Sequence, residues 1–302
     1  MDELDVTIFL TIWEKRNISK AAGALYMSSA TVTSRLQALE ESLGVILFDR
    51  HKGIKIAEPT PAGETLYPIA RNMAALHNEC TLLRTKGSRQ LIRIATADSF
   101  FKYVFAPAYQ QFIADSQSHC LDIKIYPSDT LYDLVGKREV DLGLALYDIN
   151  HPDVVATPLF SDDAVVVVPK NDPRPEGSVS ASELDPRFEL FIGSAENRFS
   201  GWGPEFNAWH DKCFGLEYAP LVRGATISVI LNFLELERFW VLLPRTIANE
   251  LIKEKGLRIL ELSEPAPRRT CYFLTHRAPT KTARQNAELI KARLMQYVKD
   301  TF

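Results

Sequence analysis

The sequence predicts an α/β chain in two parts, a small helical head closed by a hairpin and a larger domain of alternating strands and helices, with one long helix between them. Three observations predict it. Apolar residues recur at helical spacing from Leu4 to Leu43. A narrow apolar seam then runs on from Leu66. Beyond Leu91, β-branched runs alternate with amphipathic stretches.

The 302 residues carry a formal net charge of -3 and are 46% hydrophobic. That length suits about two domains and a core that needs no disulfide staples. Whole-chain charge advertises no nucleic-acid partner, so any basic surface must be local. Cys80, Cys120, Cys213 and Cys271 form no C-x-x-C pair and lie near no histidine at ligand spacing. They are expected to be reduced, mostly buried thiols, with no metal, cofactor or redox pair. The start of the chain is acidic, with Asp2, Glu3 and Asp5, unlike a signal peptide. No apolar run reaches the ~20 residues a bilayer needs. The expectation is a cytoplasmic protein with no membrane partner.

In the head, Leu4, Ile8, Phe9, Ile12 and Trp13 mark a first helix over 4–16. Ser19 can cap a second over 20–26, and Ser29 a third running to about Ser42. Val32, Leu36, Leu39 and Leu43 share one stripe of that third helix. Its other face holds Ala30, Ser34, Gln37 and Ala38, flanked by Thr31, Thr33 and Arg35. Small, polar side chains opposite an apolar stripe suit a helix that enters a DNA major groove. After Gly44, residues 47–50 and 54–56 read as two short strands about Gly53, with Arg50, Lys52 and Lys55 clustered on them. Three helices and a basic hairpin make a winged helix-turn-helix.

The same stretch resembles the LysR-type transcriptional regulators. The resemblance rests on Phe9, Ser19, Ala21, Ala22, Leu25, Ser28, Val32, Thr33, Leu39, Glu40, Leu43, Gly44, Leu47, Phe48, Arg50 and the run Thr60-Pro61-Ala62-Gly63, in order and at consistent spacing. Ser29 stands where that family usually has glutamine, and Ala30 where proline is frequent. A short hydroxyl thus replaces a long reader of adenine. The resemblance implies that Ser29, Ala30, Thr33 and Ser34 face bases and that Thr31, Arg35, Arg50 and Lys52 hold phosphates.

Thr60-Pro61 is a strong helix start. Leu66, Ile69, Met73, Leu76, Cys80 and Leu83 then alternate three and four residues apart. So narrow a seam favours a partner helix over the helix's own domain. Pro68 is expected to kink this helix or cost it a backbone hydrogen bond, and Gly87-Ser88 to end it. Family members use the equivalent helix to dimerise, which implies a homodimer or homotetramer through the linker helix and effector domains.

Beyond residue 91, strands are expected over 92–97, 121–126, 141–146, 164–168, 189–192, 219–222, 240–243, 257–262 and 271–275. Helices are expected over 107–115, 130–138, 204–213, 226–237, 244–255 and 281–298. The alternation argues a mainly parallel sheet, and the Pro- and Gly-rich stretch 169–177 that interrupts it suggests a crossover between sub-domains nearby. The resemblance implies a two-lobed effector-binding domain like periplasmic solute-binding proteins. The organisation expected is 1–60 winged head, 61–88 linker helix and 89–302 effector domain, with one lobe about 89–163 plus 268–302 and the other about 164–267. Phe239 and Trp240 replace the small residues usual there and are expected to narrow the cleft between lobes.

A ligand in such a domain sits beyond the carboxyl ends of the strands. Thr96, Asp98, Ser99 and Phe100 follow the first strand, Ser128 the second and Tyr147 the third; Ser194 and Thr226 belong to the second lobe. In the resembling family, positions matching Ser99 and Ser128 often meet the ligand. Ser128 and Asp129 serve equally well as helix caps. Asp98 beside the pocket points to an amine-bearing or zwitterionic effector. No G-x-S-x-G, H-E-x-x-H or phosphate-binding glycine motif occurs, and the six histidines are scattered, so no enzyme is expected. The function implied is a DNA-binding transcription regulator that senses a small molecule. The alternatives are a solute-binding protein without DNA function and a cytosolic α/β enzyme with a helical accessory domain.

Overall fold

The computed structural model describes residues 1–49, 56–84, 89–193, 202–215, 220–234, 236, 238–254 and 256–301, without the side chains of 78, 79, 81–84 and 254. Two compact units emerge, Met1–Ser88 and Arg89–Phe302.

In the first unit α1 (Glu3–Lys15) starts from a reciprocal cap: Asp2 accepts from the Asp5 N–H at 2.8 Å, and Asp5 from the Asp2 N–H at 2.9 Å. α2 (Ile18–Ala24) and α3 (Ser29–Leu43) begin earlier than Ser19 and Ser29 would have placed them. Asn17 caps α2 by accepting from Lys20 N–H, and Ser28 caps α3 by accepting from Thr31 N–H. Tyr26, at φ 55, breaks the chain out of α2, which therefore stops short of residue 26. Gly44, at φ 69, closes α3 in the left-handed conformation that glycine tolerates.

Phe9, Ile12, Ala21, Ala22, Val32, Leu36, Leu39, Leu47 and Phe48 make one core, with Trp13 stacked on Tyr67 at 4.3 Å. Leu43, expected on the buried stripe, is instead 41% exposed at the last position of α3. The wing's second strand differs as well. β1 (Phe48–Asp49) pairs antiparallel with β2 (Glu58–Pro59), Phe48 opposite Pro59. The expected strand over 54–56 mostly lies outside the described residues, as do Arg50, Lys52 and Lys55. Thr60 fixes this register: its N–H donates to the Leu47 carbonyl at 3.0 Å and its hydroxyl to the Ile46 carbonyl at 2.6 Å.

α4 (Pro61–Arg84) is one helix with Pro68 inside it. It carries two stripes, not one. Leu66 and Ala70 are buried in the head's own core, whereas Ile69 and Leu76 are 50% and 51% exposed and Cys80 is exposed. Leu66 therefore leaves the expected seam, because the head needs it to cover Phe48 and its neighbours. Of the four thiols only Cys271 is buried; Cys120 and Cys213 are half-buried.

The second unit is built on two main sheets. In one, β3 (Gln90–Thr96) lies parallel to β4 (His119–Ile125) and β5 (Leu142–Ala145). β13 (Arg269–His276) runs antiparallel to β5 and to β6 (Val154–Asp162) at the edge. In the other, β7 (Ala164–Pro169) is antiparallel to β11 (Val241–Pro244) and β12 (Leu257–Leu262), and β12 is parallel to β8 (Ser178–Val179). β9 (Leu190–Ile192) and β10 (Val222–Gly224) form a small parallel pair.

The sheets are mixed rather than mainly parallel because the strands that cross between them run back against the others. The crossovers fall at Asp163, shortly before the stretch 169–177, and at residues 263–268; 169–177 itself is a loop of the second sheet region. β6 went unpredicted because Pro158 interrupts its pattern. Pro158 is tolerated because β6 is an edge strand and because the register shifts beside Tyr272, its partner.

Against these sheets pack α5 (Asp98–Phe100), a π turn (Phe101–Phe105), α6 (Ala106–Asp115), α7 (Ser128–Gly136), α8 (Pro204–Phe214), α9 (Ile227–Ile230), α10 (Arg245–Glu254) and α11 (Lys281–Thr301). The helix expected over 226–237 shortens to α9 and one 3-10 turn, Leu231–Phe233. Trp240 does not narrow a cleft. It is buried in the second sheet region's core, its indole N–H donating to the Asp185 carbonyl at 3.0 Å.

Candidate functional site

Two surfaces stand out, one in each unit. On α3 the buried stripe Val32, Leu36 and Leu39 anchors the helix. The opposite face presents Ser29, Ala30, Thr31 and Ser34 to solvent, with Gln37 and Ala38 beyond them. Thr33 is half-buried, and its hydroxyl donates to the Ser29 carbonyl at 2.8 Å. No bulky side chain stands on this face, so a groove can close on it.

Arg35 is not the free phosphate contact expected. Its Nη1 lies 3.0 Å from an Asp2 carboxylate oxygen and 3.1 Å from one of Asp5. The hydrogen bond and charge of Asp2 raise the Arg35 pKa further, and the Asp5 N–H, with Arg35, holds the Asp2 carboxyl below its usual range. The guanidinium thus ties α3 to the start of α1. Tyr26, 99% exposed at the turn between α2 and α3, was missed because helical spacing placed it inside α2.

In the second unit, Ser99 and Phe100 start the helical turn that follows β3. Ser99 accepts from Arg269 Nη2 at 2.6 Å. The Arg269 Cζ lies 4.9 Å from the Phe100 ring centre and 5.8 Å from that of Trp202, which stacks on Phe206. Arg269 is only 5% exposed, and among the described residues its Nε has no hydrogen-bond partner. Burial pushes its pKa down to about 10, against the opposing pull of Cys271 and Asp162, so it stays charged at neutral pH.

Tyr147 donates to Asp129 Oδ1 at 2.9 Å. Burial, then the Asp129 carboxylate, raises the pKa of that phenol. A Cβ on Gly203 would come 3.1 Å from the Tyr147 Cβ, so the strand end after β5 and the turn before α8 meet there. Lys102 Nζ donates to Ser228 Oγ at 2.8 Å, a second bridge between the two sheet regions.

Other expected ligand residues turn to the backbone. Ser128 Oγ accepts from the Leu146 N–H at 3.1 Å; it neither caps α7 nor faces outward. Thr96 is fully buried with its hydroxyl on the Ala97 carbonyl. Asp98 is half-buried, and Thr226 is half-buried at the start of α9. Ser194 lies outside the described residues. Sequence reasoning missed Arg269 and Trp202. The available signal was an arginine opening a strand whose Cys271, Phe273 and Leu274 are buried.

A head with a clear recognition helix and a short wing, joined to an α/β domain whose two sheet regions meet at a buried polar centre, defines a DNA-binding transcription regulator that carries its own small-molecule sensor. Residues 4–64 match the family described as "Bacterial regulatory helix-turn-helix protein, lysR family", and residues 85–295 match "LysR substrate binding domain". The chain belongs to the LysR family of transcription regulators.

The HTH-type transcriptional regulator HdfR of Yersinia pestis (strain Pestoides F) is 26% identical over 250 residues, covering 78% of each chain. In fold the chain resembles a full-length OxyR variant from Pseudomonas aeruginosa, with a TM-score of 0.64 and 18% identity over 96% of both chains. It also resembles full-length CbnR in complex with its target DNA, with a TM-score of 0.52 and 16% identity over 97% of this chain and 100% of that one. Among the described residues no helix is long and apolar enough to cross a membrane.

Proposed function

We propose that the chain is a one-component switch, binding a two-fold-related DNA site through paired heads and changing their spacing when an effector binds between the two sheet regions. The parts are residues 1–60 as the head, 61–88 as the linker and 89–302 as the sensor, with lobes of about 89–163 plus 268–302 and 164–267. The observation that carries this reading is α3: an anchored apolar stripe backing a face of exposed Ser29, Ala30, Thr31 and Ser34.

Ser29, Ala30, Thr33 and Ser34 read base edges, and Thr31, Arg50 and Lys52 hold phosphates. Arg35 acts differently, fixing the angle of α3 through Asp2 and Asp5. The exposed Ile69, Leu76 and Cys80 line up on α4 away from Leu66 and Ala70, which supports pairing with the same helix of a second copy into a dimer, or a tetramer through further sensor contacts. The effector must bind the two states of the assembly unequally, or it switches nothing. The role involves no catalytic step and places the protein with the DNA in the cytoplasm.

Footprinting of the DNA upstream of its own coding region tests the proposal. The expected result is protection of a two-fold-related site that shifts or lengthens with the effector. Absence of any protected site on that DNA, with the chain folded, overturns it.

A further inference from the structure

We infer that Arg269 anchors the effector, and that the effector is a monocarboxylate carried on a planar apolar body. The inference rests on the reading of the second unit as a sensor and names what it senses.

Arg269 opens β13 directly opposite Asp162, the last residue of β6, where the chain crosses between the sheets. Its Nη2 is used by Ser99, and its Nε is buried with no partner among the described residues. Asp162, whose charge it feels, instead accepts from the Thr246 N–H at 3.0 Å. The other titratable neighbour is the buried Cys271 thiol, whose pKa burial raises, so it stays neutral. Among the described residues, no carboxylate forms an ion pair with Arg269. Burying a guanidinium in this state is costly, and buried charges are ordinarily paired. A group that supplies one negative charge and accepts from Nε removes both deficits.

The chemistry of the acceptor follows from the surroundings. A carboxylate matches the planar edge of a guanidinium, two parallel N–H···O bonds being the strong form of this contact. A dianion would bring more charge than one guanidinium offsets so close to Asp162. A cation would be repelled. Phe100 and Trp202 flank the same guanidinium, and Trp202 is held flat on Phe206 at 4.2 Å and 11°. These rings suit a planar body behind the carboxylate. The amine expected from Asp98 gives way to this arrangement, because Asp98 is half-exposed at the start of α5 while Arg269 is the buried charge.

The site also explains how occupancy reaches the rest of the chain. Arg269 belongs to the first sheet and Trp202 to the segment leading into α8. Contacts between the same two regions recur at Tyr147 with Gly203 and Lys102 with Ser228. Admitting a ligand to a buried Arg269 requires such contacts to part, so binding and lobe angle are coupled.

The test uses the full-length chain with phenylacetate, phenylacetamide and phenethylamine at matched ionic strength. Thermal melting is followed for the wild type, R269M and R269K, beside gel shifts on the upstream DNA. Phenylacetate alone is expected to raise the wild-type melting temperature. R269M should bind it at least about tenfold more weakly, as loss of a charge-assisted bond pair implies. R269K, which keeps the charge without the fork, should fall between.

Without ligand, R269M should melt no lower than the wild type, because it removes a buried charge that, among the described residues, has no ion-paired carboxylate. The inference is overturned if phenylacetate acts no differently from sodium chloride, if R269M responds like the wild type, or if ligand-free R269M melts well below it. If phenylacetamide or phenethylamine instead shifts both melting and DNA mobility, the sensor reading stands and the carboxylate fails. If the wild type binds none of the upstream DNA, the regulator reading fails whatever phenylacetate does.

Discussion

Asn286 donates from Nδ2 to Asp141 Oδ2 at 2.7 Å, and that bond ties α11 to the first sheet of the sensor. The other Asp141 oxygen takes Arg93 Nη2 at 2.7 Å, and Oδ2 also accepts the Arg93 N–H at 3.0 Å. All three side chains are largely buried. Asp141→Ala is expected to cost about 3–5 kcal/mol, because it strands the Arg93 charge. Asn286→Leu should cost about 1–3 kcal/mol for the acceptors it leaves unmet. Calorimetry of the full chain reads both as a fall in the sensor's transition, with the head's transition unmoved.

Gly63 and Gly23 make a matched pair in the head. A Cβ at Gly63 would lie 2.3 Å from the Leu47 carbonyl oxygen, a backbone atom that β1 and Thr60 hold in place. At Gly23, inside α2, a Cβ would meet nothing within 4 Å. Gly63→Ala should therefore destabilise the head by about 1–3 kcal/mol, while Gly23→Ala should stabilise it by up to about 1 kcal/mol through helix propensity. Thermal melting followed by circular dichroism separates them, and equal effects would count against the packing described at Gly63.

The two stripes of α4 should part under mutation. Ile69→Glu with Leu76→Glu is expected to lower the oligomeric state in sedimentation while leaving the head folded. Leu66→Ala should do the reverse, costing about 2–5 kcal/mol of head stability with assembly intact. Unchanged sedimentation of the double glutamate variant removes α4 from the interface.

Base reading and phosphate holding are distinguishable by salt. Ser34→Ala or Thr33→Ala should change which sequences are preferred, by about 1–3 kcal/mol at one base pair. Arg50→Ala should weaken binding to all sequences alike and flatten the salt dependence by about one phosphate contact. Wild-type site preference and salt slope in all three variants would defeat the assignment.

His276 sets a mild acid sensitivity. Burial, then the nearby Arg138 cation, holds its imidazole below the usual range, while its Nδ1 accepts from the Ala278 N–H at 2.8 Å. The unfolded chain, with a histidine pKa near ~6.5, therefore takes up the proton before the folded one. The stabilisation is complete above that value and is lost as pH falls through the folded pKa. The sensor's melting temperature should drop as pH falls below about 6.5, and His276→Asn should make that slope shallower.

Much of the head was legible because its signals are local. The stripe Val32, Leu36 and Leu39 reports which side of α3 is buried, and Gly44 reports where the helix must end. The run Thr60-Pro61-Ala62-Gly63 marks a helix start in sequence, but its tight join to Leu47 depends on a carbonyl brought back from the preceding strand. The sensor was legible as alternating elements and less so as a topology. Strand direction depends on which sheet a segment joins, and Pro158 is acceptable in β6 because, among the described residues, no strand lies beyond it and the register shifts beside it.

Local periodicity and capping by themselves determined the head's three helices, the long helix after them and the small-residue face of α3, since each depends on neighbours within a few turns of chain. Tertiary structure alone decided that Arg35 binds Asp2 and Asp5, that Leu66 leaves the seam of α4, and that Arg269 is buried beside Ser99 and Trp202. The physical reason is sequence distance. Ser99 and Arg269 are 170 residues apart, and no pattern within either segment records that folding will press a charge and a hydroxyl together out of water.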